Sequence, residues 1–123
     1  MDPKQFIEPK EIEISNLKFV ISKIPAIQAQ EVYRNIMREA KDDGDIAMTY
    51  LTADTAVSLL TYSANVDGEI WSALDNIQQI NYATKSVETL IKLEAAMIRY
   101  NFGFLFDGTL QEVLAVLRDS SAT

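Results

Sequence analysis

The chain has 123 residues, 48% of them apolar and 24% charged, with a formal net charge of −7; this suits one domain with a real core and excludes a disordered chain. An acidic balance argues against nucleic acid or an anionic membrane as partner, because both want a basic face. With neither cysteine nor histidine, disulfides and thiolate chemistry are excluded, and the commonest general base and metal ligand are missing.

Residues 1–10 contain Pro3 and Pro9 and read as an irregular lead-in, polar and without the apolar core of a signal peptide. No apolar run approaches the roughly 20 residues that a bilayer span needs, so no membrane partner and a cytoplasmic location are expected. From Glu11 to Ile24 the pattern has period two. Ile12 and Ile14 alternate with glutamates, and Leu17, Phe19 and Ile21 alternate with Lys18 and Ser22. This predicts a β-hairpin with one apolar face, turning at Ser15-Asn16. A lone hairpin is marginal, so that face must pack on helices, and its free edge could recruit another strand.

Pro25 suits the first turn of a helix. Ala29, Val32, Tyr33, Ile36, Met37 and Ala40 then recur at helical spacing until Asp42-Asp43-Gly44. A second helix, capped by Asp45 or Thr52, would bury Ala53, Ala56, Val57, Leu59, Leu60 and Ala64. The pattern allows a second short hairpin near 65–71, turning at Asp67-Gly68. Ser72 to Lys85 reads as a loop with a helical turn.

Ser86 to Leu105 has the clearest helical period, with Ser86 as N-cap and Gly103 as a left-handed stop. Val87, Leu90, Ile91, Leu93, Met97, Ile98 and Tyr100 form a broad apolar side, as befits a central core helix. Glu94 and Asn101, two turns apart, interrupt that side. Each is either a hydrogen-bonded structural residue or a polar contact at a partner surface, since a buried carboxylate left unpaired costs several kcal/mol. A tail helix follows, with Thr109 and Glu112 as a capping box and Leu110, Val113, Leu114 and Leu117 as its stripe. Residues 119–123 should fray. The expected fold is therefore α+β and mainly α. An N-terminal hairpin packs on a bundle of about four helices, in a single domain over 11–118.

Chemistry has little to work with. No nucleophile elbow, phosphate-binding glycine loop or zinc-protease motif is present. Asp42, Asp43 and Asp45 around Gly44 superficially resemble a calcium loop, but their spacing fails. No enzyme activity, cofactor or metal is expected. More telling is Asn101-Phe102-Gly103-Phe104-Leu105-Phe106, three aromatics at a helix end. They either close the base of the core or form an apolar patch for a protein partner.

Ile21-Ser22-Lys23-Ile24-Pro25-Ala26, running on to Glu31-Val32, resembles the hairpin-to-helix junction of phage tail assembly chaperones. Glu88 to Glu94, then Met97, Tyr100-Asn101 and Phe104, resembles their central helix. The Val66-Asp67-Gly68 turn and the opening Lys4 to Lys10 also fit. The likeness spans most of residues 4–106 and rests on order and spacing. It departs at Ala29, where the family often has glycine, and over Ala73 to Ser86. The resemblance implies a non-catalytic protein of the infected cell that binds the tape measure protein, helps recruit tail tube subunits and is absent from the mature virion. Phe102, Phe104, Phe106, Leu110, Val113, Leu114 and Leu117 are the expected contact residues, for that partner or for self-association. A tail component retained in the virion and a small bacterial interaction module are the alternatives.

Overall fold

The computed structural model describes residues 6–40 and 51–103. Within them the order is β1 (Ile7–Ile14), β2 (Leu17–Lys23), α1 (Ala26–Ala40), α2 (Ala53–Leu60), β3 (Ala64–Asp67), β4 (Ile70–Ala73), α3 (Ile77–Thr84) and α4 (Val87–Phe102). The fold is α+β, as the patterns predict. The two hairpins are not separate: β2 pairs with β3, giving one antiparallel sheet in the order β1-β2-β3-β4.

The first hairpin turns where expected. Ser15 and Asn16 have φ of 52° and 64°, the left-handed pair that a tight two-residue turn requires. β1 begins at Ile7, inside the expected lead-in. Pro9 is tolerated there because β1 is an edge strand. The register shifts between Ile7 and Lys10, with Glu8 at φ 47°. The second turn is centred one residue later than the Asp67-Gly68 reading. Asp67 pairs with Ile70, so Gly68 and Glu69 form the loop. Gly68 takes φ 63° at the first loop position, where a type II′ turn needs glycine.

β2 corrects the expectation of a single apolar face. Phe19 and Ile21 pack toward the helices, joined by Ile12, Ile14 and Leu17. On the reverse face Val20 and Ser22 are also sealed, at 0% and 1% exposure. Two features cause this. Pairing with β3 makes β2 an interior strand, and Phe6 folds across the reverse face onto Val20, Ala64 and Ala73. Its ring meets Trp71 edge-on, with centroids 5.9 Å apart.

α1 follows Pro25, whose carbonyl accepts from the Ala29 amide at 2.8 Å. It buries Val32 and Ile36, while Met37, expected inside, is exposed. α2 is capped by the Thr52 hydroxyl, which accepts from the Thr55 amide at 3.3 Å. The Glu39 carboxylate accepts from the Thr52 amide and the Thr55 hydroxyl, tying the last turn of α1 to the first of α2. Ala64, assigned from the sequence to this helix, lies in β3. The alternative cap Asp45 and the expected tail helix lie outside the described residues.

α3 replaces the expected loop. Asn76 caps it, accepting from the Gln79 amide at 2.9 Å, and Lys85 ends it in a left-handed conformation. Its core face is small, just Ile80, Ala83 and Thr84, too narrow a stripe to announce a helix by period. α4 starts at Ser86 as expected, with the Thr89 amide donating to its hydroxyl at 3.2 Å. Its buried face is rotated from the predicted one. Thr89, Leu93, Glu94, Met97, Ile98 and Phe102 are inside, while Val87 and Ile91 are exposed. Gly103 is right-handed, at φ −59°. The expected left-handed stop is therefore not used at Gly103, and among the last carbonyls that of Tyr100 is met by the Lys23 ammonium.

Phe6 tests the two-sided sheet. Phe6→Ala should cost about 3 kcal/mol in urea unfolding followed by circular dichroism, with the slope unchanged. A loss below about 0.5 kcal/mol, the size of an ordinary surface change, would mean that the reverse face is not a core.

Candidate protein-contact surface

The C-terminal end of α4 is held to the end of β2 by a polar clasp. The Asn101 side chain makes three bonds. Its oxygen accepts from the Ile24 amide at 2.8 Å, and its nitrogen donates to the carbonyls of Ser22 and Met97, each at 3.1 Å. Beside it, the Lys23 ammonium donates to the Tyr100 carbonyl and lies 4.0 Å from the centre of the Tyr100 ring. The Tyr100 hydroxyl reaches on to the Glu8 carbonyl at 2.6 Å. On the other side of β2, the Ser22 hydroxyl donates to the Tyr62 carbonyl. Asn101 is thus the structural reading of the two open to it: β2 ends at Lys23, and the groups it leaves without a ladder partner are taken by an amide side chain.

Phe102, one of the seven expected contact residues, is 5% exposed. It packs on Tyr33 of α1 with ring centroids 5.6 Å apart, so it closes the core. The reason is periodicity: it lies one turn beyond Ile98, on the flank of the buried face. Phe104, Phe106, Leu110, Val113, Leu114 and Leu117 lie outside the described residues. Phe102 nonetheless borders a depression of about 270 Å³ between the start of α1 and the end of α4, shared with Ala26, Ala29, Gln30, Tyr33 and Asn101. Sequence reading missed Tyr33 as its partner because α1 and α4 are far apart in the chain. It also treated Val87 and Ile91 as core, whereas they leave apolar surface open on the first half of α4.

Glu94 sits near the middle of the buried face, 9% exposed, with no hydrogen bond to it among the described residues. Burial raises its pKa from 4.5 to about 7. Among the described residues no group of three or more acidic, histidine or cysteine side chains could hold a metal ion, and no helix is long and apolar enough to cross a membrane.

Two measurements follow from this geometry. Asn101→Ala strands the Ile24 amide and the Ser22 carbonyl, and should lower stability by about 2–4 kcal/mol. Asn101→Asp keeps the acceptor but turns a carboxylate oxygen onto two carbonyls, so it should do no better. Chemical denaturation of both variants checks this. For Glu94 the folded pKa lies above the unfolded one, so ionisation penalises the folded state. The penalty is absent below pH 4.5, grows as pH rises through the window, and is complete above about 7. Glu94→Gln should therefore match the parent at pH 4.5 and exceed it by about 1–2 kcal/mol above pH 7, after allowance for solvent screening. A pH-independent difference would show that Glu94 ionises freely.

Comparison with protein-family models, curated proteins and solved structures finds no match for this chain.

Proposed function

We propose that the chain is a non-catalytic phage tail assembly chaperone. It binds the tape measure protein, helps to recruit tail tube subunits, acts in the host cytoplasm and leaves before the virion is complete. One observation carries this reading. The two stretches that hold the likeness to that family, Ile21 to Ala26 and Glu88 to Asn101, are far apart in sequence yet meet in the polar clasp. Among the resembling residues, Ser22, Lys23, Ile24, Tyr100 and Asn101 are therefore the ones that join the sheet to the central helix.

Charge and composition support the same reading. A tape measure protein is a long, apolar-striped helix that would aggregate alone, and an acidic domain with net charge −7 would keep a shielded complex soluble. Phe104, Phe106, Leu110, Val113, Leu114 and Leu117 are the proposed contact residues, used in a helix-in-groove mode.

Co-expression tests the proposal. The tape measure protein should be soluble with this chain and aggregated without it. The double variant Leu114→Glu, Leu117→Glu should lose that effect while its melting temperature holds. Purified particles should lack the chain by mass spectrometry. No gain in solubility would overturn the proposal, and stoichiometric retention in particles would make the chain a tail component instead.

A further inference from the structure

We propose that the outer edge of β4, with the cleft between β4 and α3, docks an extended peptide segment that is uncharged at its centre and basic at its ends. The sheet treats its two edges differently. The β1 edge is blunted: Pro9 lacks a donor, Glu8 is left-handed, a register shift bends the strand, and Glu11 and Glu13 follow. The β4 edge, Ile70-Trp71-Ser72-Ala73, has no proline, no charge and no register shift. Among the described residues nothing pairs with its outer side.

The ladder fixes which backbone groups face outward. Gly68 and Glu69 form a two-residue loop, so Asp67 and Ile70 are a hydrogen-bonded pair, and the pattern alternates from there. The alternation holds at the far end, where the Leu74 amide donates to the Ser63 carbonyl at 3.1 Å. Trp71 and Ala73 therefore turn their amides and carbonyls away from β3. Trp71 is half-buried and offers the more open pair, while Ala73 is nearly sealed and borders the cleft.

Side-chain space lies on both faces of that edge. On the helix side is a cleft of about 320 Å³, lined by Asn65 and Ser72 from the strands and by Gln78, Gln79 and Tyr82 from α3. None of its lining residues is charged. Tyr82 is 80% exposed, and Ile70, next along the same face, is 66% exposed. On the reverse side stand the rings of Trp71 and Phe6. An added strand points alternate side chains to these two faces, which is how strand addition gains specificity. Asp67 and Glu69 precede the strand and Asp75 follows it, all exposed, so basic residues flanking the peptide would be matched. Four residues suit one short segment and are too few for open-ended stacking. This site stands whether or not the chain escorts a tape measure protein, whose apolar stripe would dock as a helix and elsewhere.

Trp71 is the one tryptophan of the chain and reports on the site directly. The probe is the blocked hexapeptide KTVTVK, titrated into the full chain while tryptophan emission is followed. A saturable shift is expected, with slower exchange of the Trp71 amide in the bound state. The acidic counterpart ETVTVE should bind roughly tenfold more weakly at low salt. A KTVTVK peptide N-methylated along its backbone should not bind. Tyr82→Ala, at an exposed position, should keep the parent melting temperature and weaken binding. Absence of a saturable shift, an equal response to the acidic or N-methylated peptide, or unchanged affinity in Tyr82→Ala would each overturn the proposal.

Discussion

The three hydrogen bonds of Asn101 are the constraint on which the rest of the structure depends. Those to Ile24 and Ser22 fix the end of α4 to the point where β2 stops and α1 begins, while the third, to the Met97 carbonyl, holds the side chain against its own helix. That one junction sets where the central helix crosses the sheet and which of its residues face inward. It also places Phe102 against Tyr33, and so closes the core between α1 and α4. An aliphatic residue there would pack, but it would leave an amide and a carbonyl at the strand end without partners, and such groups are expensive to bury unpaired. Lys23 and Tyr100 reinforce the junction from the side, with a cation over a ring and a phenol tied back to β1.

The sheet shows how a short second hairpin changes the role of the first. Alone, β1 and β2 would offer one apolar face and one wet one. Once β3 pairs with β2, the middle of the sheet is covered on both sides, and Val20 is as inaccessible as Phe19. Phe6, from the segment before β1, supplies the cover, with Trp71 beside it. The main core on the helix face and a small cluster on the reverse face then share β2 as a common wall. Burial of both faces is also why β2 carries a nearly continuous apolar run, Phe19-Val20-Ile21, where strict alternation would be enough for a half-buried strand.

Much of this was legible in residues 11–40 and 86–102, because long periodic segments with caps state their own structure. Ser86, Thr52 and Pro25 mark helix starts by local chemistry alone, and Ser15-Asn16 marks its turn. What was not legible needed a partner distant in sequence. The reverse face of β2 depends on Phe6, which looks from its neighbours like part of a polar lead-in. α3 is eight residues long and buries only Ile80, Ala83 and Thr84, too few to show a period. The rotation of α4, with Val87 and Ile91 outside and Thr89 inside, follows from the clasp at its far end, which periodicity cannot locate. Of the seven expected contact residues, Phe102 could be reassigned for the same reason: its periodic place on the helix and its distant partner Tyr33 both belong to the core.

Glu94 and Asn101 lie two turns apart on one line of α4, about 10 Å along the axis, and they have opposite fates. The difference lies in the partners within reach of each. At the end of β2 the ladder is finished, so an amide and a carbonyl are free for Asn101 to take. Two turns back along the helix, Glu94 is buried with no hydrogen-bond partner among the described residues. A carboxyl can still occupy that place if it holds its proton, and burial drives it toward that form, with a pKa of about 7. Near neutral pH Glu94 therefore behaves in part as an uncharged, Gln-like side chain in the core face. Its ionisation opposes the packing of the helix that the clasp seven residues away holds in place.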